Sequence, residues 1–160
     1  MGKAMFYHLT QRPLEVTLAM LLEKSLQAGW RVCVRGCDGA RMEWLDQKLW
    51  QMTPPEGFLP HGLAGGAHDA LQPILLGTGG EKAANTPACL MAVDGAQVSP
   101  AEVQAMERVC ILFDGTDEQA VSAARGQWKA LTEAGCAAQY WSEDSGRWQM
   151  KAEKAAPDAP

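Results

Sequence analysis

Positive charge is scarce in this chain. Its 14 Lys and Arg are outnumbered by 19 Asp and Glu, giving a formal net charge of -5. That balance excludes a nucleic-acid binder whose whole surface is basic, but leaves room for a local basic patch. No apolar run approaches the ~20 residues that cross a bilayer. The opening MGKAMFYHL is cut short by Gln11, Arg12 and Pro13, so no secretory apolar core forms. Phe6 stands where N-myristoylation needs Ser or Thr. The expectation is a soluble, cytoplasmic chain with no membrane partner. Cysteine is present but unpaired in pattern: five residues, an odd number, with no C-x-x-C. In the runs VCV and VCIL it reads as a small core residue, and disulfides are not expected in that compartment.

Catalytic and cofactor motifs are absent too. Gly77-Thr78-Gly79-Gly80-Glu81-Lys82 has the composition of a phosphate loop but lacks the Walker spacing and the Ser or Thr after lysine, so it reads as a surface loop. The first strand–helix turn, HLTQRP, has no glycine fingerprint, which argues against a dinucleotide. No Gly-x-Ser-x-Gly elbow occurs. His61, His68 and Asp69 match neither a helical metal pair nor a zinc-finger spacing, so no metal is expected, and His61 reads as a loop histidine held by backbone hydrogen bonds. Asp114, before Gly115-Thr116-Asp117, reads as a turn residue ahead of a capped helix. No cofactor and no active site are expected.

What the chain does have is alternation of strand and helix. At 160 residues and 47% hydrophobic it is long and apolar enough for one core and one domain. Residues 4–9 read as a strand. Pro13 opens a helix whose leucines recur at helical spacing, and Gly29 ends it. Residues 31–35 alternate as a second strand, and 40–50 form a second helix carrying Met42, Leu45 and Leu49 on one face. Residues 54–70 read as loop, 74–76 as a short strand, 77–86 as a polar turn and 89–93 as a strand. Ser99-Pro100-Ala101-Glu102 is a capping box that starts a short helix. Residues 109–113 form an apolar strand. Thr116 to Gln119 reads as a second box, opening a helix that runs to about 134, with Gly135 after it. Residues 137–141 and 147–150 suit closing strands. The fold class is α/β: a single Rossmann-like domain over 1–150, a mostly parallel sheet with helices on both faces. The Ala/Pro/charge-rich 151–160 is expected to be a disordered tail.

Two stretches point to partners rather than substrates. In LDQKLWQMTPPEGFLPHGLAG, residues 45–65, Trp50 ends a helix and Phe58, Pro60 and His61 follow a Pro-Pro break. Large apolar groups among prolines and glycines mark a surface that something covers. In the late helix, Arg125, Trp128 and Lys129 stand at i, i+3 and i+4, so two cations flank an indole on adjoining parts of one surface. Such a trio can hold a carboxylate by charge-assisted hydrogen bonds while the ring receives an apolar side chain. Periodicity alone favours the plainer alternative, in which Trp128 continues the core stripe Val121-Ala124-Leu131 and the cations are merely solvated. A ring at the core's margin does both.

Taken together the chain resembles the chi subunit of bacterial DNA polymerase III holoenzyme over nearly its full length. The resemblance rests on Phe6-Tyr7, Gly29-x-Arg31-Val32, Leu45-Asp46-x-x-Leu49-Trp50, Phe58-x-Pro60-His61 with Leu63-Ala64-Gly65, Ala124-Arg125-x-x-Trp128-Lys129-Ala130 and Ala134-Gly135. It implies a non-catalytic accessory subunit of the clamp-loader assembly that binds the acidic, Phe-ending C-terminal tail of single-stranded-DNA-binding protein and meets DNA only indirectly. On that resemblance Arg125, Trp128 and Lys129 form the tail site, with Trp in place of the family's common Tyr and Val121 where the family has a further lysine. A second interface, to the psi subunit or another replisome or helicase protein, is implied at Trp50, Phe58, Pro60 and His61. The rival reading is a small nucleotide-binding α/β enzyme using the 77–82 loop or Asp114.

Overall fold

The structure, a computed structural model, describes residues 2–52, 59–78, 83–143 and 146–155. In chain order the elements are β1 (Lys3–Leu9), α1 (Leu14–Gln27), β2 (Val32–Arg35), α2 (Gly39–Met52), β3 (Gly62–Leu63), β4 (Ile74–Gly77), β5 (Cys89–Ala92), α3 (Pro100–Ala105), β6 (Arg108–Asp114), α4 (Glu118–Glu133), β7 (Ala137–Ser142) and β8 (Gln149–Lys154), with a single 3-10 turn at Asp69–Leu71. The strands form one sheet in the order β3-β4-β2-β5-β6-β1-β7-β8. All pair in parallel except β8, which runs antiparallel to β7.

Period-two alternation in the central strands decides which helix goes where. Met5, Tyr7 and Leu9 of β1 and Cys110 and Leu112 of β6 face one side, where Leu18, Leu22, Leu45 and Leu49 of α1 and α2 cover them. Ala4, Phe6, Val109, Ile111 and Phe113 face the other, under Val103 of α3 and Ala124 and Leu131 of α4. Each fully buried leucine contributes roughly 1.5–3 kcal/mol relative to exposure, so two such layers fix the register of β1 and β6. This is the α/β architecture expected from the alternating pattern, with helices on both faces. Cys89, Cys110 and Cys136 are buried free thiols, as small core residues are.

Several boundaries move. The segment read as loop contains the two-residue β3, paired with β4 through Gly62 and Leu63; it is too short to show any alternation. The Ser99 capping box forms in full. At α4 the cap is Asp117 rather than Thr116: the Thr116 hydroxyl donates to Asp114 Oδ1 (2.6 Å), which leaves Asp117 Oδ1 to accept from the N–H groups of Gln119 and Ala120. Part of the stretch expected to be a disordered tail is strand instead. Residues 151–154 belong to β8, bound by its ladder to β7 and by the Gln139 amide donating to Glu153 Oε2 (2.7 Å). All six residues of β8 are exposed, so a strand there needs no apolar alternation, and its Lys/Glu/Ala composition reads as disorder. Residues 156–160 lie outside the described part of the chain.

Candidate functional site

Helix α4 is anchored at both ends before it presents anything. Asp117 caps its start, and Gly135, at φ 91°, turns the chain away after Ala134. Asp114 accepts from both the hydroxyl and the N–H of Thr116, and these bonds hold its carboxyl below the usual range. That is the turn role expected of it. Along the helix, Ala124, Gln127 and Leu131 are buried. Gln127 also ties α4 to the loop before α3, accepting from Val98 N–H (3.1 Å) and donating to the Ala96 carbonyl (3.3 Å).

Trp128 sits at the core's margin. Its half-buried ring meets Phe6 edge-on, centroids 5.3 Å apart, and Tyr140 at 6.1 Å. Tyr140 shares a 2.7 Å hydrogen bond with His8 Nδ1, which gives the cluster a rigid floor. Arg125 and Lys129 are exposed, and neither makes an ion pair among the described residues. Val121, one turn before Arg125, is half-buried and packs on the core. The helix therefore brings together an anchored indole and two cations with no carboxylate partner among the described residues.

A family model described as DNA polymerase III chi subunit, HolC, matches residues 1–139. The chain belongs to the chi-subunit family of DNA polymerase III. No curated protein matches it. The matched span covers both candidate surfaces and stops inside β7, so β8 lies beyond it. The chi family makes this chain an accessory subunit of the replicative polymerase.

The second surface of this chi-family chain is built on the last turn of α2. Trp50 is 47% exposed, and its ring stacks on the imidazole of His61 with centroids 4.1 Å apart. His61 itself is buried. Its Nδ1 donates to the Leu59 carbonyl (2.7 Å), and its Nε2 lies 3.0 Å from the Asp46 carbonyl oxygen and 3.2 Å from Asp46 Oδ1. Pro60 beside it is half-buried. Phe58 lies outside the described residues. His61 thus stands behind Trp50 rather than beside it on the surface.

The positions weighed for other chemistry fall elsewhere. Asp69 accepts from the N–H groups of Gly65 and Gly66 and closes a loop. His68 precedes the 3-10 turn. Among the described residues no group of three or more His, Cys, Asp or Glu is placed to hold a metal, and no helix is long and apolar enough to cross a membrane. Gly77 ends β4, and 79–82 of the glycine-rich loop are outside the described residues.

One residue escaped the sequence reading. A cleft of about 940 Å³ opens at the carboxyl ends of β1, β5 and β6, where open α/β sheets bind ligands. Nucleotide-binding folds use the first strand–helix turn there to cradle phosphate. In this chain Glu143, 1% exposed, sends Oε1 into that turn and accepts from the N–H groups of Thr10 (3.1 Å), Gln11 (3.0 Å) and Arg12 (3.0 Å). The chain's own carboxylate fills its anion cradle. The cleft walls add Glu15, Asp94, Asp114 and Asp117 against Arg12 and Arg41, and Arg41 is already bound to Asp94 at 3.0 Å. A polyphosphate would meet net negative charge there.

Proposed function

We infer that this chi-family subunit links the polymerase III clamp-loader assembly to single-stranded-DNA-binding protein by holding that protein's acidic, Phe-ending C-terminal tail on α4. The observation that carries the reading is the pairing of a ring fixed on Phe6 with cations left unpaired among the described residues, Arg125 and Lys129. Arg125 offers a planar fork to a carboxylate, Lys129 adds a second charge, and Trp128 lines the place of the terminal Phe. DNA is then reached only through the coating protein. The surface around Trp50 and Pro60, with Phe58, serves a second protein of the replisome, psi or a helicase-like partner. His61 serves it by keeping the Trp50 ring in place. The nucleotide-enzyme alternative is disfavoured by Glu143 in the anion cradle.

Calorimetric titration with an acidic peptide ending in Phe tests this reading. Binding should be saturable and should weaken as salt rises. Arg125→Ala should cost roughly 1.5–3 kcal/mol, the range for hydrogen bonds to charged groups. Deleting the peptide's Phe should hurt at least as much as neutralising its acids. No binding by the parent, or equal binding by Arg125→Ala, overturns it.

A further inference from the structure

On the face of the sheet opposite α4, the end of α1 and the start of β6 enclose a second cavity, of about 180 Å³. Its walls include Tyr7, Lys24, Ser25, Trp30 and Arg108. The local sequence builds it. Gly29, at φ 85°, reverses the chain after α1, and the Trp30 N–H donates to the Ser25 carbonyl (3.0 Å), which folds the indole back beneath the last turn. Arg108, the first residue of β6, then lays its guanidinium over that indole, 5.3 Å from the centroid.

The charge balance of this cavity is unusual for a chain of net charge -5. Among the described residues no acidic side chain lines it, while Lys24 and Arg108 both do. Neither cation forms an ion pair among the described residues. The Arg108 Nε is buried and has no hydrogen-bond acceptor among the described residues. A shielded donor on a permanent cation costs free energy until an acceptor meets it, and the cation–π contact supplies no lone pair in the guanidinium plane. Burial pushes the Tyr7 phenol well above its ordinary range, so that wall stays neutral.

Size narrows the ligand. Pockets for drug-sized molecules run to roughly 300–1,000 Å³, so this one accepts a single small group and no nucleotide. The geometry points to a binding site for one small oxyanion, a carboxylate or a phosphate group, held between Arg108 and Lys24 against the Trp30 indole. Either a free anion or an acidic side chain of a bound protein presents that chemistry.

The test is ¹⁵N NMR of the intact chain, following the Trp30 indole and the Arg108 Nε–H. Inorganic phosphate, acetate and a capped Gly-Glu-Gly peptide are titrated separately, with sodium chloride at matched ionic strength as the control. Saturable shifts at both positions are expected with at least one probe. Saturation by phosphate or acetate marks a free ligand, and saturation by the peptide alone marks a side chain supplied by a partner. Arg108→Gln should weaken binding by about tenfold or more, as loss of a charge-assisted fork does. Lys24 is exposed, so Lys24→Gln keeps the fold and should weaken binding by roughly threefold. Shifts that grow linearly, that chloride reproduces, or that persist undiminished in Lys24→Gln overturn the proposal. The shifts are read at Trp30 and Arg108, on the face of the sheet opposite α4, and are compared between the parent and Lys24→Gln, so the result is independent of whether the tail site exists.

Discussion

The indole of Trp50 lies over the imidazole of His61, ring centroids 4.1 Å and planes 29° apart. Because His61 is locked to Leu59 and Asp46, an exposed aromatic on α2 takes its orientation from a loop residue eleven positions later. His61→Ala should therefore loosen Trp50 and remove the buried hydrogen bond to the Leu59 carbonyl. We expect a loss of about 1–3 kcal/mol in urea unfolding and a lower order parameter for the Trp50 indole. An unchanged unfolding midpoint would show that the stack supports nothing.

Glu143 binds the two ends of the domain together. Its carboxylate satisfies N–H groups of Thr10, Gln11 and Arg12, more than 130 residues away. Glu143→Ala should cost about 2–4 kcal/mol, less than the sum of separate charged bonds because the cleft admits water to the freed turn. Glu143→Gln keeps a carbonyl acceptor and should lose less. Thermal shift of the parent with a nucleotide panel should show no stabilisation; a shift of several degrees would revive nucleotide binding in the cleft.

Arg35 and Glu102 tie part of the stability to pH on the acid side. Arg35 is 7% exposed and bonds both carboxylate oxygens of Glu102, which is also half of the Ser99 capping box. Burial works to raise the Glu102 carboxyl, but the bonds from Arg35 and Ser99 outweigh it and leave it below its ordinary value. The stabilisation is thus complete above the ordinary carboxylate value of about 4.3 and is lost as pH falls through the lower folded-state value. Glu102→Gln should flatten that part of the pH–stability curve and, at neutral pH, cost about 2–4 kcal/mol through the stranded guanidinium. Parallel curves for the two proteins below pH ~4.3 would refute the assignment.

Features set by local period were legible in the sequence. The unbroken apolar run 109–113 announces a strand buried on both faces, and Arg125, Trp128 and Lys129 announce one helical surface, because both repeats are fixed by backbone geometry. Features set by distant pairing were not. Nothing around Glu143 says that its partners are Thr10 to Arg12, and nothing in PHGL says that His61 lies beneath Trp50. The β8 strand carries no apolar face, so only its ladder to β7 reveals it. Trp128 shows the limit most clearly. Periodicity made it a choice between core and surface, and packing on Phe6 and Tyr140 makes it both.

The position one turn before Arg125 reports the direction in which a bound tail lies on α4. Val121 is half-buried there and adds no charge to the surface that Arg125 and Lys129 present. Val121→Lys places a third cation at i−4 from Arg125, within reach of an acidic tail lying along α4. Its methylenes can cover part of the apolar surface that valine covered while the ammonium stays in water. Affinity for the acidic peptide should rise about two- to fivefold at low salt, the return from one exposed charge pair. The gain should vanish near 0.5 M salt, where the Debye length falls to roughly 4 Å. Folding stability should drop by about 0.5–1 kcal/mol for the lost valine packing. Calorimetry at the two salt concentrations measures this directly. If Val121→Lys leaves low-salt affinity unchanged while Arg125→Ala abolishes it, the tail runs toward the carboxyl end of α4 and not over Val121.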